Sequence, residues 1–297
     1  MAGMGKGALD RKFDAVLIAG PTASGKSEIA IDFAKSLDGV VVNADSMQVY
    51  DRLEILTAKP SGAALKGVEH ELFGHVWPGD SYSVAQWLDD VEAVLARLRL
   101  HNRPPIFAGG TGLYFRALEH GLANIPQPPA HIREKWRQFA LQHPERLHGE
   151  LSRRDPMGAA LLQSRDMQRI VRALEVVDAT GRSLSDWQAQ EGRSPLAGMR
   201  RVKKIIVDVP PKTLRERIDA RFERMIDMGA VAEIRELLKL DLPADLPAMK
   251  AIGVPQIANY LKGEISLSEA VEKAKIASRQ YAKRQRTWFR NQSGPDW

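Results

Sequence analysis

Short apolar runs alternate along this chain with longer segments in which apolar residues recur every three or four positions. The short runs are rich in β-branched residues, which predicts strands. The four predicted strands are Ala15–Ala19, Val40–Val42, Ile106–Ala108 and Ile205–Val209. A helical repeat of leucine and valine begins behind Ser83, a residue that can cap a helix, and ends before Pro104. This alternation predicts an α/β fold with a mostly parallel sheet and flanking helices.

The alternation breaks between residues 117 and 198. A proline-rich linker, Pro126–Pro129, is followed by segments with apolar residues at helical spacing. We therefore predict a helical subdomain, residues 117–198, inserted into a core domain formed by residues 1–116 and 199–297. From His131 to Lys204 the chain has 15 Lys and Arg against 9 Asp and Glu, so we expect the insertion to carry the positive excess.

Two long helices are predicted near the C-terminus, because a hydroxyl residue precedes a glutamate by three positions at Thr213–Glu216 and at Ser266–Glu269. The second helix would carry four cations at 4-3-4 spacing, on one side. This cationic stripe consists of Arg279, Lys283, Arg286 and Arg290. It suits contact with a phosphate backbone, and the plainer alternative is a solvated helix surface.

The composition narrows the class of protein. The 297 residues are 44% apolar and 27% charged, as in proteins that build their own core, and the net charge of +6 favours a polyanionic partner. The absence of cysteine excludes disulfides, thiolate metal sites and cysteine catalysis, and the seven histidines lack close metal-binding spacing. No segment has the length and apolar character of a membrane span, so we expect a cytoplasmic protein without a membrane partner.

A phosphate-binding motif, G-x-x-x-x-G-K-[ST], directly follows the first predicted strand. This P-loop consists of Gly20, Pro21, Thr22, Ala23, Ser24, Gly25, Lys26 and Ser27. Backbone N–H groups of such a loop point at phosphate oxygens, the lysine adds positive charge, and the serine hydroxyl can ligate Mg²⁺. We expect a bound di- or triphosphate with Mg²⁺, used as a nucleotide fuel, a phosphoryl donor or a leaving group.

Two further predicted strands end in residues that suit catalysis. Asp45 follows the second strand, at the edge where α/β sheets bind ligands, and is a candidate general base, an N-cap or a partner of the bound metal. The third strand leads into the glycine turn, Gly109–Gly112, where Thr111 could donate to a leaving-group oxygen. The same glycines could simply form a tight strand-to-helix turn.

Together these motifs resemble those of the tRNA dimethylallyltransferases, also called tRNA isopentenyltransferases, in their bacterial type. The resemblance spans nearly the whole chain, and the order of the motifs is more diagnostic than any one of them. They are GPTASGKS at Gly20–Ser27, NADSMQVY at Asn43–Tyr50, TAKP at Thr57–Pro60, GGTGLYF at Gly109–Phe115, QRIVRALEV at Gln168–Val176, RFERM at Arg221–Met225 and KRQRTWFR at Lys283–Arg290.

The resemblance implies transfer of a dimethylallyl group from dimethylallyl diphosphate to N6 of the adenosine immediately 3′ of a tRNA anticodon, with release of diphosphate. It implies that Asp45 accepts the amine proton and that Thr111 hydrogen-bonds the oxygen between the allyl carbon and the diphosphate. Arg221 would join Lys26 and Mg²⁺ bound to Ser27 on the diphosphate. Besides the cationic stripe, the implied contacts to the tRNA anticodon stem-loop are Asp45, Ser46, Met47, Gln48, Thr111, Arg133, Gln168, Arg169, Ile170, Val171 and Arg172.

The sequence departs from the family pattern in two places. Leu56 stands where glycine is common, and Gly253–Gln256 lacks the usual tyrosine and basic residue. Two other functions would use the same P-loop, a kinase of a small metabolite with Asp45 as the base and a non-enzymatic RNA-binding module. We expect a monomer, because one chain supplies both the pocket and the RNA-binding surface.

Overall fold

The chain forms two compact units in a computed structural model that describes residues 12–190 and 192–297. The core unit comprises the chain up to Leu118 together with Pro195–Trp297, and the inserted unit is Glu119–Ser194. The inserted unit has 11 Lys and Arg against 10 Asp and Glu, a net charge of +1. The expectation that the insertion carries the positive excess is therefore wrong, because the basic run Arg200–Lys204 belongs to the core unit.

A five-stranded parallel sheet forms the centre of the core unit. Its strands are β1 (Ala15–Ala19), β2 (Val40–Asn43), β3 (His70–Glu71), β4 (Pro105–Gly109) and β5 (Val202–Ile206), in the spatial order β3-β2-β4-β1-β5. β1, β2 and β4 are buried along their whole length, as parallel strands covered on both sides must be. The prediction of an α/β fold with a mostly parallel sheet is confirmed.

Helices make up most of the remaining described structure. They are α1 (Lys26–Leu37), α2 (Val84–Leu100), α3 (Gly112–His120), α4 (Ala130–Gln142), α5 (Leu147–Arg154), α6 (Pro156–Ala160), α7 (Met167–Thr180), α8 (Leu184–Gln188), α9 (Pro211–Asp227), α10 (Ala230–Leu238), α11 (Val254–Leu261) and α12 (Leu267–Gln292). Short 3₁₀ turns lie at Gly62–Leu65, Pro144–Arg146 and Ala248–Lys250. None of the helices in the described ranges combines the length and apolar character that a membrane span requires.

The helices α1 and α2 cover opposite sides of the sheet. Ile106 of β4 packs in one cluster with Ala30 and Ala34 of α1. Phe107 points to the other side, because side chains alternate along a strand, and it meets Trp87 of α2 edge to face with 6.5 Å between ring centroids. A second hydrophobic cluster joins α9, α10, α11 and α12 to the segment after β2. This cluster places α9 and α12 beside the carboxyl edge of the sheet.

Two predicted element boundaries are wrong. β5 ends at Ile206, three residues before the predicted end, and begins three residues earlier, because an edge strand is only partly buried and tolerates lysines that hide its pattern. Thr213 caps no helix, since α9 already begins at Pro211 and proline is pre-set for the first helical position. The predicted helix starts at Ser83 and Ser266 are confirmed, each with reciprocal capping hydrogen bonds.

Candidate active site

The loops that follow β1, β2 and β4 meet at the carboxyl edge of the sheet. The P-loop follows β1, Asp45 follows β2, and the glycine turn follows β4. The Gly20 N–H donates to the Gly109 carbonyl at 3.3 Å, and the Thr111 N–H donates to the Ala44 carbonyl at 3.2 Å. The structure therefore brings together Asp45, Thr111 and the P-loop, three groups that lie far apart in the sequence.

Glycines shape both ends of the P-loop. Gly25 has a φ of 95°, in the left-handed region, directly before α1. A Cβ at Gly20 would lie 2.9 Å from the Val207 carbonyl oxygen. Within this loop the Lys26 ammonium donates to the Pro21 carbonyl at 3.2 Å, and Ser27 is exposed in the first turn of α1. At Gly25 the backbone conformation, and at Gly20 the crowding, thus favour glycine.

Two cations and a carboxylate share the site. Burial lowers the pKa of Lys26 to about 8, while the Asp45 carboxylate opposes this shift and Arg221 adds to it. Burial also lowers the pKa of Arg221, and Asp45 again acts in the opposite direction. Both cations are therefore held in surroundings that disfavour their charge until a polyanion arrives.

Asp45 is held by its neighbours in a turn. The Asn43 side chain accepts from the Asp45 N–H at 2.8 Å and donates to the Asp45 carbonyl at 2.9 Å. The Asp45 carboxylate accepts from the Met47 N–H at 3.0 Å, and the Ser46 N–H donates to the Thr111 hydroxyl at 2.9 Å. Residues 46–49 form a bend and a turn, so the N-cap interpretation of Asp45 is wrong.

Packing requires the glycines of the glycine turn. A Cβ at Gly109 would lie 1.9 Å from the Ala44 carbonyl oxygen, and a Cβ at Gly112 would lie 2.2 Å from the Trp288 ring. α3 begins at Gly112, so the tight strand-to-helix turn is present. The turn and a role for Thr111 at the site are compatible, because Thr111 faces the loop after β2.

A cavity of about 310 Å³ opens beside Asp45. Its lining includes an apolar wall from α9, formed by Ile218, Phe222 and Met225, and the same helix contributes Arg221. This wall was not predicted from the sequence, although the spacing of these four residues places them on one side of a helix. Tyr281 of α12 lines the cavity as well.

The two departures from the family pattern pack against each other at this cavity. Leu56 lines it, and a Cβ at Gly253 would lie 2.8 Å from a Leu56 methyl carbon. Gly253 has a φ of 102° and precedes α11, and its N–H donates to the Gln256 side chain at 2.8 Å. The Gly253–Gln256 segment therefore supports the pocket wall.

The predicted tRNA contacts near the pocket have distinct surroundings. Met47 and Ser46 line the cavity, and the Gln48 amide donates to the Thr57 carbonyl at 2.9 Å. Arg221 donates to the same carbonyl at 3.3 Å. Gln48 and Arg221 thus share the Thr57 carbonyl as an acceptor.

The predicted tRNA contacts of the inserted unit lie on two helices. Gln168 and Arg169 are exposed at the start of α7, and Val171 and Arg172 are half-buried. Ile170 is fully buried in the unit's core, so its side chain faces other side chains of the unit. Arg133, also half-buried, lies near the start of α4.

The cationic stripe on α12 divides into paired and exposed members. Arg279 binds Asp219 at 2.7 Å and also Glu272, and Arg286 binds Asp208 at 3.0 Å. The other two members of the stripe are exposed: Lys283 and Arg290.

Comparisons with known proteins identify the family to which this chain is similar. The IPP transferase family model matches residues 48–292, and the isopentenyl transferase model matches residues 13–73. A tRNA dimethylallyltransferase of Rhizobium johnstonii is 53% identical over 285 residues, 96% of each chain. One of Agrobacterium fabrum is 51% identical over 290 residues, 97% of each chain.

Solved structures show the same fold. The tRNA isopentenylpyrophosphate transferase of Bacillus halodurans is 32% identical, with a TM-score of 0.65 over 94% of this chain and 88% of that one. A eukaryotic dimethylallyltransferase acting on tRNA, 24% identical, shares the fold with a TM-score of 0.78 over 93% of this chain and 69% of that one. The family model and the relatives show that this chain belongs to the IPP transferase family of prenyl-group transferases.

Proposed function

We propose that the protein transfers a dimethylallyl group from dimethylallyl diphosphate to N6 of the adenosine immediately 3′ of the anticodon, tRNA position 37. The observation that carries this proposal is one pocket lined by a carboxylate, Asp45, a cation, Arg221, and an apolar wall. Lys26 of the P-loop interacts electrostatically with both of these charged groups. An amine nucleophile needs a base, a diphosphate needs cations and N–H donors, and a five-carbon chain needs an apolar surface.

The diphosphate is the leaving group in this reaction. Negative charge grows on it as the C–O bond breaks, so Lys26, Arg221 and the P-loop amides stabilise the transition state more than the bound substrate. We propose that the Thr111 hydroxyl hydrogen-bonds the oxygen that joins the allyl carbon to the diphosphate. This oxygen leaves with the electron pair of the broken bond.

The apolar wall is suited to the dimethylallyl chain. Burial of five carbons contributes about 4 kcal/mol at ~0.8 kcal/mol per carbon. This corresponds to a Kd of about 1 mM, which is weak for a small substrate. The contacts to the diphosphate must therefore supply most of the affinity for the donor.

Asp45 is the proposed general base. The lone pair of an exocyclic adenine amine is delocalised into the ring, so removal of a proton as the C–N bond forms assists attack on the allyl carbon. The proton passes to the Asp45 carboxylate while diphosphate departs. An adenine stacked within its loop cannot reach a pocket at a sheet edge, so we expect the base to flip out of the stack.

The residues also fit a Mg²⁺ ion bound mainly through the substrate. Such an ion usually takes one or two protein ligands and fills its remaining positions with phosphate oxygens and water. The exposed Ser27 hydroxyl at the end of the P-loop suits one such position. Within residues 12–190 and 192–297, no group of three or more His, Asp or Glu forms a separate metal cluster. When bound, the ion would neutralise diphosphate charge.

Exposed basic residues and one exposed glutamine are the proposed contacts to the tRNA backbone. Lys283 and Arg290 lie on α12 in the core unit, and Gln168 and Arg169 lie on α7 in the inserted unit. We propose that the protein acts as a monomer in the cytoplasm, where tRNA is used. Sedimentation with and without tRNA tests the oligomeric state.

The substitution Asp45→Asn tests the chemistry with little change in shape. We expect the transfer rate to fall by about 100-fold or more, the range for loss of a general base, with the Kd for tRNA within about twofold. Asp51→Asn, at an exposed acid on the same segment, is the matched control and should keep wild-type rates. A rate within twofold of wild type for Asp45→Asn would refute the base assignment.

A further inference from the structure

Gln285 is a buried polar residue on α12, with 5% of its surface exposed. Its side-chain oxygen accepts from the Thr22 N–H of the P-loop at 2.9 Å. Its side-chain nitrogen donates to the Gly110 carbonyl of the glycine turn at 2.9 Å. A single carboxamide thus joins the two loops that follow the neighbouring strands β1 and β4.

The surroundings of Gln285 are shaped for this bridge. A Cβ at Gly110 would lie 2.1 Å from the Gln285 side-chain nitrogen, so the turn approaches the amide as closely as glycine allows. Tyr281, one helical turn earlier on α12, lies beside both Gln285 and Thr111. Both carboxamide groups have a partner, as a buried amide requires.

The bridge also determines which backbone N–H groups of the P-loop can bind the diphosphate. The Thr22 N–H is directed to Gln285, so it does not point at a phosphate oxygen. Of the amides nearer to α1, that of Ser24 donates to the Pro21 carbonyl at 3.3 Å. We expect the others to bind the diphosphate, together with the Lys26 ammonium. The position of the P-loop is therefore set by α12 as well as by β1.

We propose that Gln285 is a positioning residue that fixes the diphosphate-binding loop relative to Thr111. This inference rests on the proposed function, in which the P-loop holds the diphosphate and Thr111 contacts the oxygen at its allyl end. Both contacts must act on one substrate at the same moment. A misplacement of about 1 Å between such groups can lower a rate by about 100-fold.

Three variants test this role. Gln285→Met has nearly the same shape and neither donates nor accepts these hydrogen bonds. Gln285→Glu can accept from Thr22 when ionised and can also donate to Gly110 when protonated. Gln280→Met makes the same change at an exposed glutamine of α12 and is the matched control.

The kinetic readout is kcat per folded site, measured with dimethylallyl diphosphate, Mg²⁺ and unmodified tRNA. We expect Gln285→Met to lower kcat by about 10- to 100-fold, with the Kd for tRNA within about twofold and Gln280→Met unchanged. The ratio of the wild-type kcat to the kcat of Gln285→Glu should fall by at least threefold from pH 8 to pH 6. Burial raises the pKa of a carboxyl, so the introduced glutamate becomes protonated over this range and can donate to Gly110. A purely structural role would lower the folded fraction without changing kcat per site.

Amide hydrogen exchange gives a second readout that needs no substrate. Gln285→Met should speed exchange in both the P-loop and the glycine turn, and Gln280→Met in neither. Wild-type kcat in Gln285→Met, or exchange confined to one loop, would overturn the positioning role. Absence of transfer by the wild-type protein would instead refute the proposed function. If Gln285→Met fails to fold, the pH dependence of Gln285→Glu decides, and a constant deficit overturns the proposal.

Discussion

The P-loop lysine should destabilise the free protein, and its removal should raise stability. Burial lowers the pKa of Lys26 from its ordinary 10.5 to about 8. At ~1.4 kcal/mol per pKa unit, charging this lysine at pH 7 costs the folded state about 3 kcal/mol. Lys26→Met also loses the hydrogen bond to the Pro21 carbonyl, so we expect a net gain of about 1 to 3 kcal/mol in the free energy of unfolding.

The pH dependence identifies the cause of this gain. Between pH 8 and pH 10.5 the unfolded lysine binds a proton that the folded one has lost, so the stability of the wild-type protein rises with pH in this window. Below pH 8 both states are protonated and the penalty is fully present. The advantage of Lys26→Met should therefore be largest at pH 7 and shrink as the pH approaches 10.

Urea unfolding of the ligand-free protein at pH 7, 8, 9 and 10 measures the difference between the variant and the wild type. Lys35→Met, at an exposed lysine of the same helix, is the matched control and should show no such trend. A Lys26→Met variant that is less stable than wild type at pH 7 would refute the reasoning. So would a difference that is constant across the pH range.

Three further predictions concern the pocket and the RNA-binding surface. Glu233 accepts hydrogen bonds from the three amides of Glu54–Leu56 at 2.7 to 3.1 Å. Glu233→Gln should therefore raise the KM for dimethylallyl diphosphate and lower the free energy of unfolding by about 1 to 2 kcal/mol. An unchanged KM in steady-state assays would contradict this prediction. Gly109→Ala should abolish transfer or prevent folding because its Cβ would clash with a carbonyl, whereas Gly149→Ala, with no atom within 4 Å, should leave thermal unfolding unchanged or slightly improved. Lys283→Ala should weaken tRNA binding and reduce the slope of log Kd against log salt by about 0.7 to 1, and an unchanged slope would remove it from the contacts.

Local sequence patterns predicted the parts of the fold that depend on residues close together in the chain. The P-loop motif directly follows the apolar strand β1, and Gly25 before α1 has the left-handed conformation that favours glycine. The serine before α12 forms the predicted capping box with Glu269. Each of these features involves residues within a few positions of one another, so their spacing alone predicts them.

Long-range partners could not be predicted in the same way. Gln285 lies 263 positions from Thr22 in the chain, and no local pattern distinguishes it from an exposed glutamine. The cationic stripe has the same limitation, since its spacing predicts a shared side of the helix but not the acids that pair with Arg279 and Arg286. The predicted range of strand β5 was displaced because its lysines are tolerated only at the edge of a sheet. Which strand lies at the edge depends on the topology and cannot be predicted from the local sequence.

The most direct test of the central claim is the mass of the modified nucleoside. Purified protein is incubated with Mg²⁺, dimethylallyl diphosphate and unmodified tRNA, and the digested RNA is analysed by mass spectrometry. We expect an adenosine heavier by one dimethylallyl group, located immediately 3′ of the anticodon. Absence of the mass shift, with the protein folded and tRNA bound, would contradict the proposed reaction.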